Sequence, residues 1–347
     1  MNWWRYLIKK FTVIISMLLI LSLIGHWIIS NIPGSNEDMI NQDQVTLYSD
    51  SLQIIKKPFK PIFYWSVLPR FTKEEKLDPS SLPLSGILPV FKWNGIHNVY
   101  HEWLTQTSYS LRDSKDVSAK VFEAIQWTLV IQIPALILIF ILGIYLAEWS
   151  VKSKNNNAGI RVTKILTAFH SVPVFWLASL LLIFFTGQGF LHIFPSSFVS
   201  ADVVSPFEFW TTKIHYIILP LIAIVLPALA VIYNLARNNI LSNMEKPFWK
   251  RTMSSGLSQN EAIKQEARPL AMIPLIAWIA SAIPFLISGS IIIENIFSIP
   301  GTGRLLFQSI GFRDWPVVHA LFMLASFLTI LGIQIAELVQ LKLDPRL

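Results

Sequence analysis

Residues 127–149 read WTLVIQIPALILIFILGIYLAEW, a run in which Glu148 is the single charged residue. A helix that crosses the hydrocarbon core of a bilayer needs about 20 mostly apolar residues. Five other stretches meet the same requirement. The predicted spans are Phe11–Ser30, Trp127–Trp149, Ile165–Thr186, Ile214–Ala236, Leu270–Ile293 and Val317–Gln340. The sequence therefore predicts an all-α membrane protein with six transmembrane helices.

The overall composition agrees with lipid as the solvent for much of the chain. Of 347 residues, 53% are hydrophobic and 14% are charged, whereas soluble domains carry roughly 25% charged residues. The chain has no cysteine, which excludes disulfides, thiolate metal ligands and cysteine nucleophiles. The net charge of +7 comes from short loops beside the spans, and no basic stripe with interleaved aromatics predicts nucleic-acid binding.

The distribution of lysine and arginine predicts the orientation. Basic residues favour the cytoplasmic ends of membrane helices. They lie before the first span, after the second, after the fourth and in the tail: Arg5, Lys9, Lys10, Lys152, Lys154, Arg161, Lys164, Arg237, Lys246, Lys250, Arg251, Lys264, Arg268, Lys342 and Arg346. The short loops on the other side contain only Lys213, Arg304 and Arg313. Both termini are therefore predicted to be cytoplasmic. We interpret the first span as a retained helix, because its apolar run is too long for a signal peptide.

Residues 31–126 form a long extracytoplasmic segment between the first two spans. Prolines interrupt it, so long helices are not expected before about Ile96. Its aromatic residues, Trp65 and Trp93 among them, predict a small packed cap, followed by a helix from about Ile96 to Gln106. The predicted division is residues 1–30 for the N-terminal end and first span, 31–126 for the segment, and 127–347 for a core with five spans.

The chain lacks the common signatures of catalysis and nucleotide binding. It contains no GxxxxGK[ST], GxSxG, HExxH or GxGxxG motif, so no catalytic residue and no cofactor is predicted. His97 and His101 lie four residues apart, which fits a metal-ligand pair or, more simply, a surface pair. Ionisable residues in the spans lie near their ends, without a midplane chain that would indicate a proton-coupled carrier.

The cytoplasmic loop Arg237–Arg268 predicts two short helices joined by a tight turn. Asn243 is a candidate cap for a helix from about Met244 to Ser255, and Pro247 fits its first turn. Gly256 fits the position after that helix, where a positive φ is needed.

A second signal in this loop follows the glycine. Ser258 and Glu261 have the spacing of a capping box, which predicts a second helix leading to the fifth span. The first helix carries aromatic residues beside basic ones: Phe248, Trp249, Lys250 and Arg251. Such an amphipathic piece is able to present a knob to a cytoplasmic partner; the residues alone fit an ordinary solvated loop equally well.

Several ordered runs carry a family resemblance. They are KRTMSSGLS at 250–258 with Pro274, ENIFSIPGTGR at 294–304, RDWP at 313–316, LDPR at 343–346, LPAL at 226–229 with Arg237, and SVPVFWL at 171–177. On these runs the chain resembles the dipeptide/oligopeptide/nickel class of ABC-importer permeases. The resemblance covers the first span and nearly everything from Trp103 onward. It departs from the pattern at Thr252, where the family has alanine, and at Ser254-Ser255.

The resemblance implies a bacterial inner-membrane permease that pairs with a second permease subunit, two cytoplasmic ATPase subunits and an extracytoplasmic solute-binding protein. It implies roles for three sets of residues. The ATPase coupling loop comprises Phe248, Trp249, Lys250, Arg251, Thr252, Gly256 and Leu257. The outer-side motif comprises Glu294, Pro300, Gly301, Gly303, Arg304, Arg313 and Asp314, which either meet the binding protein or form a local ion-pair network. The candidate pathway residues are His170, Ser171, Ser281 and Ser288, and the two later serines also fit simple helix contacts.

The substrate stays open between small peptides and nickel or metal-chelate complexes, with peptides favoured by family frequency. A secondary carrier would need inverted repeats and midplane ionisable residues, and neither is evident in the sequence. A membrane-embedded enzyme would need paired catalytic groups at membrane depth, and none is found.

Overall fold

The structure is a computed structural model that describes residues 3–30, 63–68, 90–96, 98, 100–101, 104, 109–153, 156–187, 191–195, 209, 213–288 and 291–343. The helices, numbered in chain order, are α1 Trp3–Ser30, α2 Val117–Lys152, α3 Asn156–Ser171, α4 Val174–Phe185, α5 His215–Met244, α6 Pro247–Ser254, α7 Gln259–Ala262, α8 Arg268–Ser288, α9 Ile291–Ile296, α10 Thr302–Gly311 and α11 Trp315–Leu343. A π-helical stretch, Ile263–Ala267, joins α7 to α8. Two strands, β1 Trp65–Leu68 and β2 Val90–Trp93, complete the described elements.

Within the described residues, four helices are long and apolar enough to cross a membrane. They are α1, α2, α5 and α11, and they match four of the predicted spans. In lipid the backbone polar groups must pair inside the segment, which explains why these runs are helical. The fifth predicted span, Leu270–Ile293, corresponds to α8 and the start of α9. The mostly helical membrane fold is thus confirmed, while a total of six spans stays a prediction.

The third predicted span, Ile165–Thr186, is not one straight helix. The chain breaks between α3 and α4, and the two helices meet at 94°. Pro173 lies at the break and has no N–H to continue the hydrogen-bond ladder of α3. Beside it, Nδ1 of His170 donates a hydrogen bond to the carbonyl of Pro227 on α5, at 2.8 Å. The bend is therefore bonded to α5. The two helices together form either one broken span or a re-entrant loop.

The core lies where α5 packs against α2, α3 and α8. Its buried side chains are Ala135, Ile139, Ala147, Leu166, Val225, Leu229, Ala230, Ile232, Tyr233, Ala236 and Leu275. Gly143 allows the closest approach, since a β-carbon there would lie 2.6 Å from Cγ2 of Ile232. Small residues at such contacts let membrane helices approach closely, where dispersion holds them together. This packing fixes α5, which leads directly to α6.

The first and last helices lie side by side in opposite directions. Lys10, near the start of α1, forms an ion pair with Glu337, near the end of α11. At the other end of α1, His26 lies beside His319, with ring centroids 5.9 Å apart. The two chain ends therefore emerge on the same side of the helical body.

The described part of segment 31–126 contains a β-hairpin that the sequence did not predict. β1 and β2 pair antiparallel, with Trp65 opposite Trp93. The predicted helix at 96–106 is helical at Tyr100, His101 and Leu104, and its remaining positions, like His97, largely lie outside the described residues. The all-α description thus holds for the spans but not for this segment.

Candidate functional site

The loop Arg237–Arg268, predicted to be cytoplasmic, forms the predicted helix and glycine turn. Lys246 caps α6 in an extended conformation, Pro247 occupies its first turn, and the helix ends at Ser254. Gly256 follows with φ of +84°, a conformation that side chains with a β-carbon rarely adopt. The predicted short helix and positive φ at Gly256 are confirmed.

The predicted cap, Asn243, was wrong. α5 continues to Met244, so Asn243 is an interior, buried helical residue. Its side-chain amide donates to the carbonyl of Ala267 at 3.1 Å, and its oxygen accepts from Nζ of Lys246 at 2.8 Å. Asn243 therefore ties α5 to the π-helical stretch, which a local capping pattern cannot reveal.

The capping box is confirmed at the start of α7. The N–H of Ser258 donates to Oε2 of Glu261 at 3.0 Å, and the N–H of Glu261 donates to the Ser258 hydroxyl at 3.4 Å. The hydroxyl and then the backbone N–H of Ser258 lower the pKa of the Glu261 carboxyl. These bonds fix the chain direction directly after Gly256.

The α6 helix has an inner and an outer face. The Trp249 side chain is 9% exposed and packs with the buried residues Ile240, Ala262, Ile263, Ala267 and Ala271. Phe248 and Leu257 are partly buried against the same cluster, whereas Lys250, Arg251 and Met253 are exposed. The aromatic pair thus holds α6 on the body of the protein, and the surface offered to a partner is the basic one.

A salt bridge connects the start of α8 to α2. Glu148, near the end of α2, accepts from Nε of Arg268 at 2.8 Å and from Nζ of Lys152 at 2.9 Å. Arg268 is the first residue of α8, directly after the π-helical stretch. π-Helical turns occur often at functional sites. Sequence analysis placed Glu148 at a span end but did not find its partner Arg268.

In the predicted outer-side motif, Glu294 on α9 caps α10 from a different helix. Gly301, the N-cap residue of α10, has no side chain to accept a hydrogen bond. The Glu294 carboxylate instead accepts from the N–H of Arg304 at 3.0 Å and from the hydroxyl of Thr128 at 2.9 Å. A carboxylate is favoured at a helix N-terminus, where the first N–H groups lack partners.

The glycines of the outer motif make this arrangement possible. A β-carbon on Gly301 would lie 2.5 Å from the Glu294 carboxyl group, and one on Gly303 would lie 2.8 Å from the backbone of Ile291. Both distances are too short for non-bonded atoms. Pro300 directly precedes Gly301, where α9 and α10 come close together. The close contact between α9 and α10 therefore requires glycine at both positions.

The environment of Glu294 also changes its acidity. Its side chain lies on α9, directly after the predicted span Leu270–Ile293, and is 3% exposed. Burial raises the pKa of the carboxyl to about 7, although the hydrogen bonds from Arg304, Thr128 and Gly303 act to lower it. A carboxylic acid that titrates near neutrality can change charge over the physiological pH range.

Asp314 joins the end of the outer motif to the segment before α2. It is 1% exposed and accepts from the Ser110 hydroxyl and from the N–H of Leu111, at 3.0 Å for the latter. Its nearest cation is Lys120, with 3.7 Å between Nζ and Oδ2. Arg313, immediately before it, has φ of +54°. Thr128, Ser110 and Lys120 belong to this site and were missed by sequence analysis, because their partners are far away in the chain.

The expected network within the outer motif takes a different form. Arg304 does not bridge Glu294 through its guanidinium; it donates its backbone N–H to that carboxylate and its Nη1 to the carbonyl of Ser298. A cleft of about 360 Å³ lies between the start of α2 and α10. Its lining residues are Asp113, Lys115, Lys120, Glu123, Ala124, Pro300, Gly301, Arg304, Leu305 and Gln308.

Two of the four candidate pathway residues, His170 and Ser171, have described side chains, and both make hydrogen bonds. His170 lies at the bend between α3 and α4 and donates to Pro227. The Ser171 hydroxyl donates to the carbonyl of Thr167 at 2.9 Å. The backbones of Ser281 and Ser288 belong to α8, but their side chains lie outside the described residues. In the described part of the chain, no group of three or more His, Cys, Asp or Glu residues is arranged to hold a metal ion.

The apolar helices and the loops at their two ends define a multi-pass helical protein of the membrane. A family model described as "Binding-protein-dependent transport system inner membrane component" matches residues 139–347. The chain belongs to this family, and it is therefore a multi-pass inner-membrane protein.

Similar curated proteins are transport permeases. The peptidoglycan transport system permease protein of Agrobacterium fabrum is 29% identical over 216 residues, which are 61% of this chain and 59% of that protein. The dipeptide transport system permease protein of Bacillus subtilis is 24% identical over 347 residues, which are 99% of this chain and 97% of that protein. The nickel import system permease protein of Staphylococcus aureus is 25% identical over 289 residues, 83% of this chain and 82% of that protein. A crystal structure of an amino acid ABC transporter aligns with a TM-score of 0.48 and 14% identity, over 65% of this chain and 94% of that one.

Proposed function

We propose that this chain is one of two permease subunits of an ATP-driven, binding-protein-dependent importer, and that its substrate is a small peptide. The observation that carries the proposal is the cytoplasmic loop of this family member, with its positive φ at Gly256 and its basic face exposed. In the proposed complex ATP binds to two separate cytoplasmic subunits. A second permease and an extracytoplasmic solute-binding protein complete it.

The contacts between the loop and the helices of the body support a role in coupling. Trp249 packs into the cluster at the base of α5 and α8, Asn243 bonds to Ala267, and Arg268 bonds to Glu148 on α2. A force applied to the exposed face of α6 is thereby delivered to three helices of the body. Rigid-body rocking of permease subunits against each other is a known way to alternate access. We propose that Lys250, Arg251 and Thr252 meet the ATPase, while Phe248, Trp249 and Leu257 hold the loop in place.

The proposed orientation has both termini in the cytoplasm. The ion pair between Lys10 and Glu337 supports it, since the two chain ends then share one side, and the excess of lysine and arginine near that side favours the cytoplasm. We further propose that residues 31–126 form the extracytoplasmic segment and 127–347 the permease core.

A cross-linking experiment tests the proposed contact with the ATPase. The chain has no native cysteine, so Arg251→Cys introduces a single thiol on the exposed face of α6. Ala119→Cys, an exposed position near the start of α2, is the matched control on the opposite side. In the purified complex, Arg251→Cys should cross-link to the ATPase and Ala119→Cys should not. Equal cross-linking at both positions, or none at Arg251→Cys, contradicts the coupling role.

A transport experiment tests the substrate. The complex is reconstituted in liposomes with its binding protein and supplied with labelled di- and oligopeptides or with labelled nickel. ATP-dependent accumulation of peptide is expected. Nickel is the alternative substrate, because the chain is similar to a nickel import permease. ATP-dependent uptake of nickel alone would show that the substrate is nickel and not a peptide, while the assignment as an importer would stand. Absence of ATP-dependent uptake of either contradicts the proposed function.

A further inference from the structure

The hairpin of the extracytoplasmic segment displays two large aromatic side chains. Trp65 and Trp93 lie opposite each other in the ladder of β1 and β2, with ring centroids 4.9 Å apart. Their side chains are 57% and 55% exposed. In a packed cap, which the aromatic content of this segment predicted, such residues would be buried, because each indole gains most from removal of its surface from water. Their exposure requires a different explanation.

The hairpin is held against the outer part of α1. The side-chain amide of Asn94 donates to the carbonyl of Phe63 at 2.9 Å, and its backbone N–H donates to the carbonyl of Tyr64 at 2.7 Å. The rings of Phe63 and Tyr100 both contact His26 of α1, with centroid distances of 5.8 and 5.4 Å. The base of the hairpin therefore rests on the same helix that spans the membrane.

A hydrogen bond gives the depth of this contact. The hydroxyl groups of Tyr100 and Ser22 are 3.0 Å apart and buried. Ser22 precedes Ile29, the last residue of the apolar span of α1, by seven positions. At about 1.5 Å per residue, Ser22 lies roughly 10 Å inside the outer edge of that span. The Tyr100 hydroxyl thus lies at the level of Ser22, within the apolar span of α1.

A series of aromatic contacts connects Tyr100 to the exposed tryptophans. Tyr100 contacts Tyr64 with centroids 6.0 Å apart, and Tyr64 stacks on Trp93 at 5.8 Å. Other large apolar side chains at the outer end of α1 and beside the hairpin are also exposed: Trp27, Ile28 and Ile96. Exposed apolar side chains therefore occur both on the hairpin and at the end of α1 on which the hairpin rests.

We propose that Trp65 and Trp93 insert into the headgroup layer of the outer leaflet, so that the hairpin is a membrane-interface anchor beside α1. Indole rings favour this layer, because their apolar body leaves water while the N–H keeps polar partners. The partner of this surface is the lipid, and the inference does not depend on the substrate or on the ATPase.

The absence of native cysteine permits a clean test by spin labelling. Single nitroxide labels are placed at Trp65→Cys and at Trp93→Cys in the full chain, within its complex in lipid nanodiscs. Ala119→Cys, beyond the apolar run of α2, is the aqueous reference, and Ile137→Cys, exposed in the middle of that run, is the hydrocarbon reference. Accessibility to oxygen and to a water-soluble nickel chelate is measured by power saturation.

The labels on the hairpin should be about fivefold less accessible to the chelate than the label at Ala119→Cys, because the interface excludes polar solutes. They should remain shallower than Ile137→Cys. Chelate accessibility equal to that of Ala119→Cys at both positions overturns the proposal. If the labels are accessible to the chelate alone but become protected when the solute-binding protein is added, the surface is a protein-docking site and the lipid assignment is wrong.

Discussion

The carboxyl group of Glu294 occupies the space that a side chain on Gly301 would need, since a β-carbon built there would lie 2.5 Å from Oε2. The same carboxylate accepts the N–H of Arg304 and so caps a helix whose own N-cap residue has no side chain. The outer motif is therefore one interlocked unit in which an acid on α9 and glycines at the start of α10 require each other.

Adding a methyl group at either glycine should destabilise the folded protein. Gly303→Ala should cost more than Gly301→Ala, because it meets the backbone of Ile291, at 2.8 Å, and a backbone cannot rotate away as a carboxyl group can. Overpacking of this kind typically costs about 1–3 kcal/mol. The matched control is Gly311→Ala at the end of the same helix, where a β-carbon would have no neighbour within 4 Å. Thermal unfolding in detergent measures the order; equal stability of all three variants contradicts the interlock.

The raised pKa of Glu294 predicts a dependence of stability on pH. The folded pKa, about 7, lies above the ordinary glutamate pKa of 4.5, so the folded state holds the proton more tightly than the unfolded chain. The stability that this group contributes is fully present below the unfolded pKa and is lost as pH rises through 7. Between pH 5 and pH 8 the wild-type protein should lose on the order of 1–3 kcal/mol from this source.

Two variants isolate this effect. Glu294→Gln keeps the shape and removes the titration, so it should unfold with a smaller difference between pH 5 and pH 8. Glu266→Gln, at an exposed position in the cytoplasmic loop, should behave like the wild-type protein. A pH dependence that is unchanged in Glu294→Gln would show that other groups cause it.

The orientation of the chain predicts a labelling pattern in intact cells. Ser153→Cys, which follows α2 on the side of Lys152, should be protected from a membrane-impermeant thiol reagent. Ala119→Cys, near the other end of the same helix, should react. Disruption of the membrane should expose Ser153→Cys. The reverse pattern contradicts the proposed position of both termini.

The ion pair between Glu148 and Arg268 predicts a measurable coupling energy. Glu148 is largely buried while Arg268 is about half exposed, so the pair should be stronger than a fully exposed one, which contributes 0.2–1 kcal/mol. A double-mutant cycle with Glu148→Gln and Arg268→Gln should yield about 1 kcal/mol, measured by unfolding in detergent. Additive single effects would mean that the contact has no net stabilising role.

Sequence patterns predicted those features that depend on neighbours in the chain. The apolar runs identified four spanning helices, and the glycine after α6 and the capping box at Ser258 followed from local preferences. Features set by distant partners were not predicted. The bend at Pro173 is accompanied by a hydrogen bond from His170 to Pro227, and Asn243 bonds to Ala267 rather than capping α6.

The candidate sites divide in the same way. Family resemblance selected Glu294, Gly301 and Gly303, but the close approach of α9 and α10 that explains them exists only in three dimensions. Trp249 illustrates the limit most clearly, because an amphipathic helix of eight residues does not reveal which of its faces meets the protein. Its burial in the cluster around Ile263 leaves the basic side of α6 exposed.

The conformation of Gly256 leads to the last prediction. At φ of +84° a valine would be strained by on the order of 1–3 kcal/mol, although no atom lies within 4 Å of the added β-carbon. The strain should change the direction in which the chain leaves α6 and hence the position of its basic face. Because the spanning helices do not depend on this turn, Gly256→Val should reach the membrane at a near-normal level. Substrate uptake should be lost, and ATP hydrolysis should no longer respond to loaded binding protein.

Gly187→Val separates this effect from a general intolerance of valine. Gly187 also has no atom within 4 Å of a built β-carbon, but its φ lies outside the strained range, so the two variants differ chiefly in backbone conformation. Uptake by Gly187→Val should remain close to that of the wild-type protein. Wild-type uptake by Gly256→Val would mean that this loop does not couple ATP hydrolysis to transport, whereas loss of Gly256→Val from the membrane would mean that the turn is needed for folding.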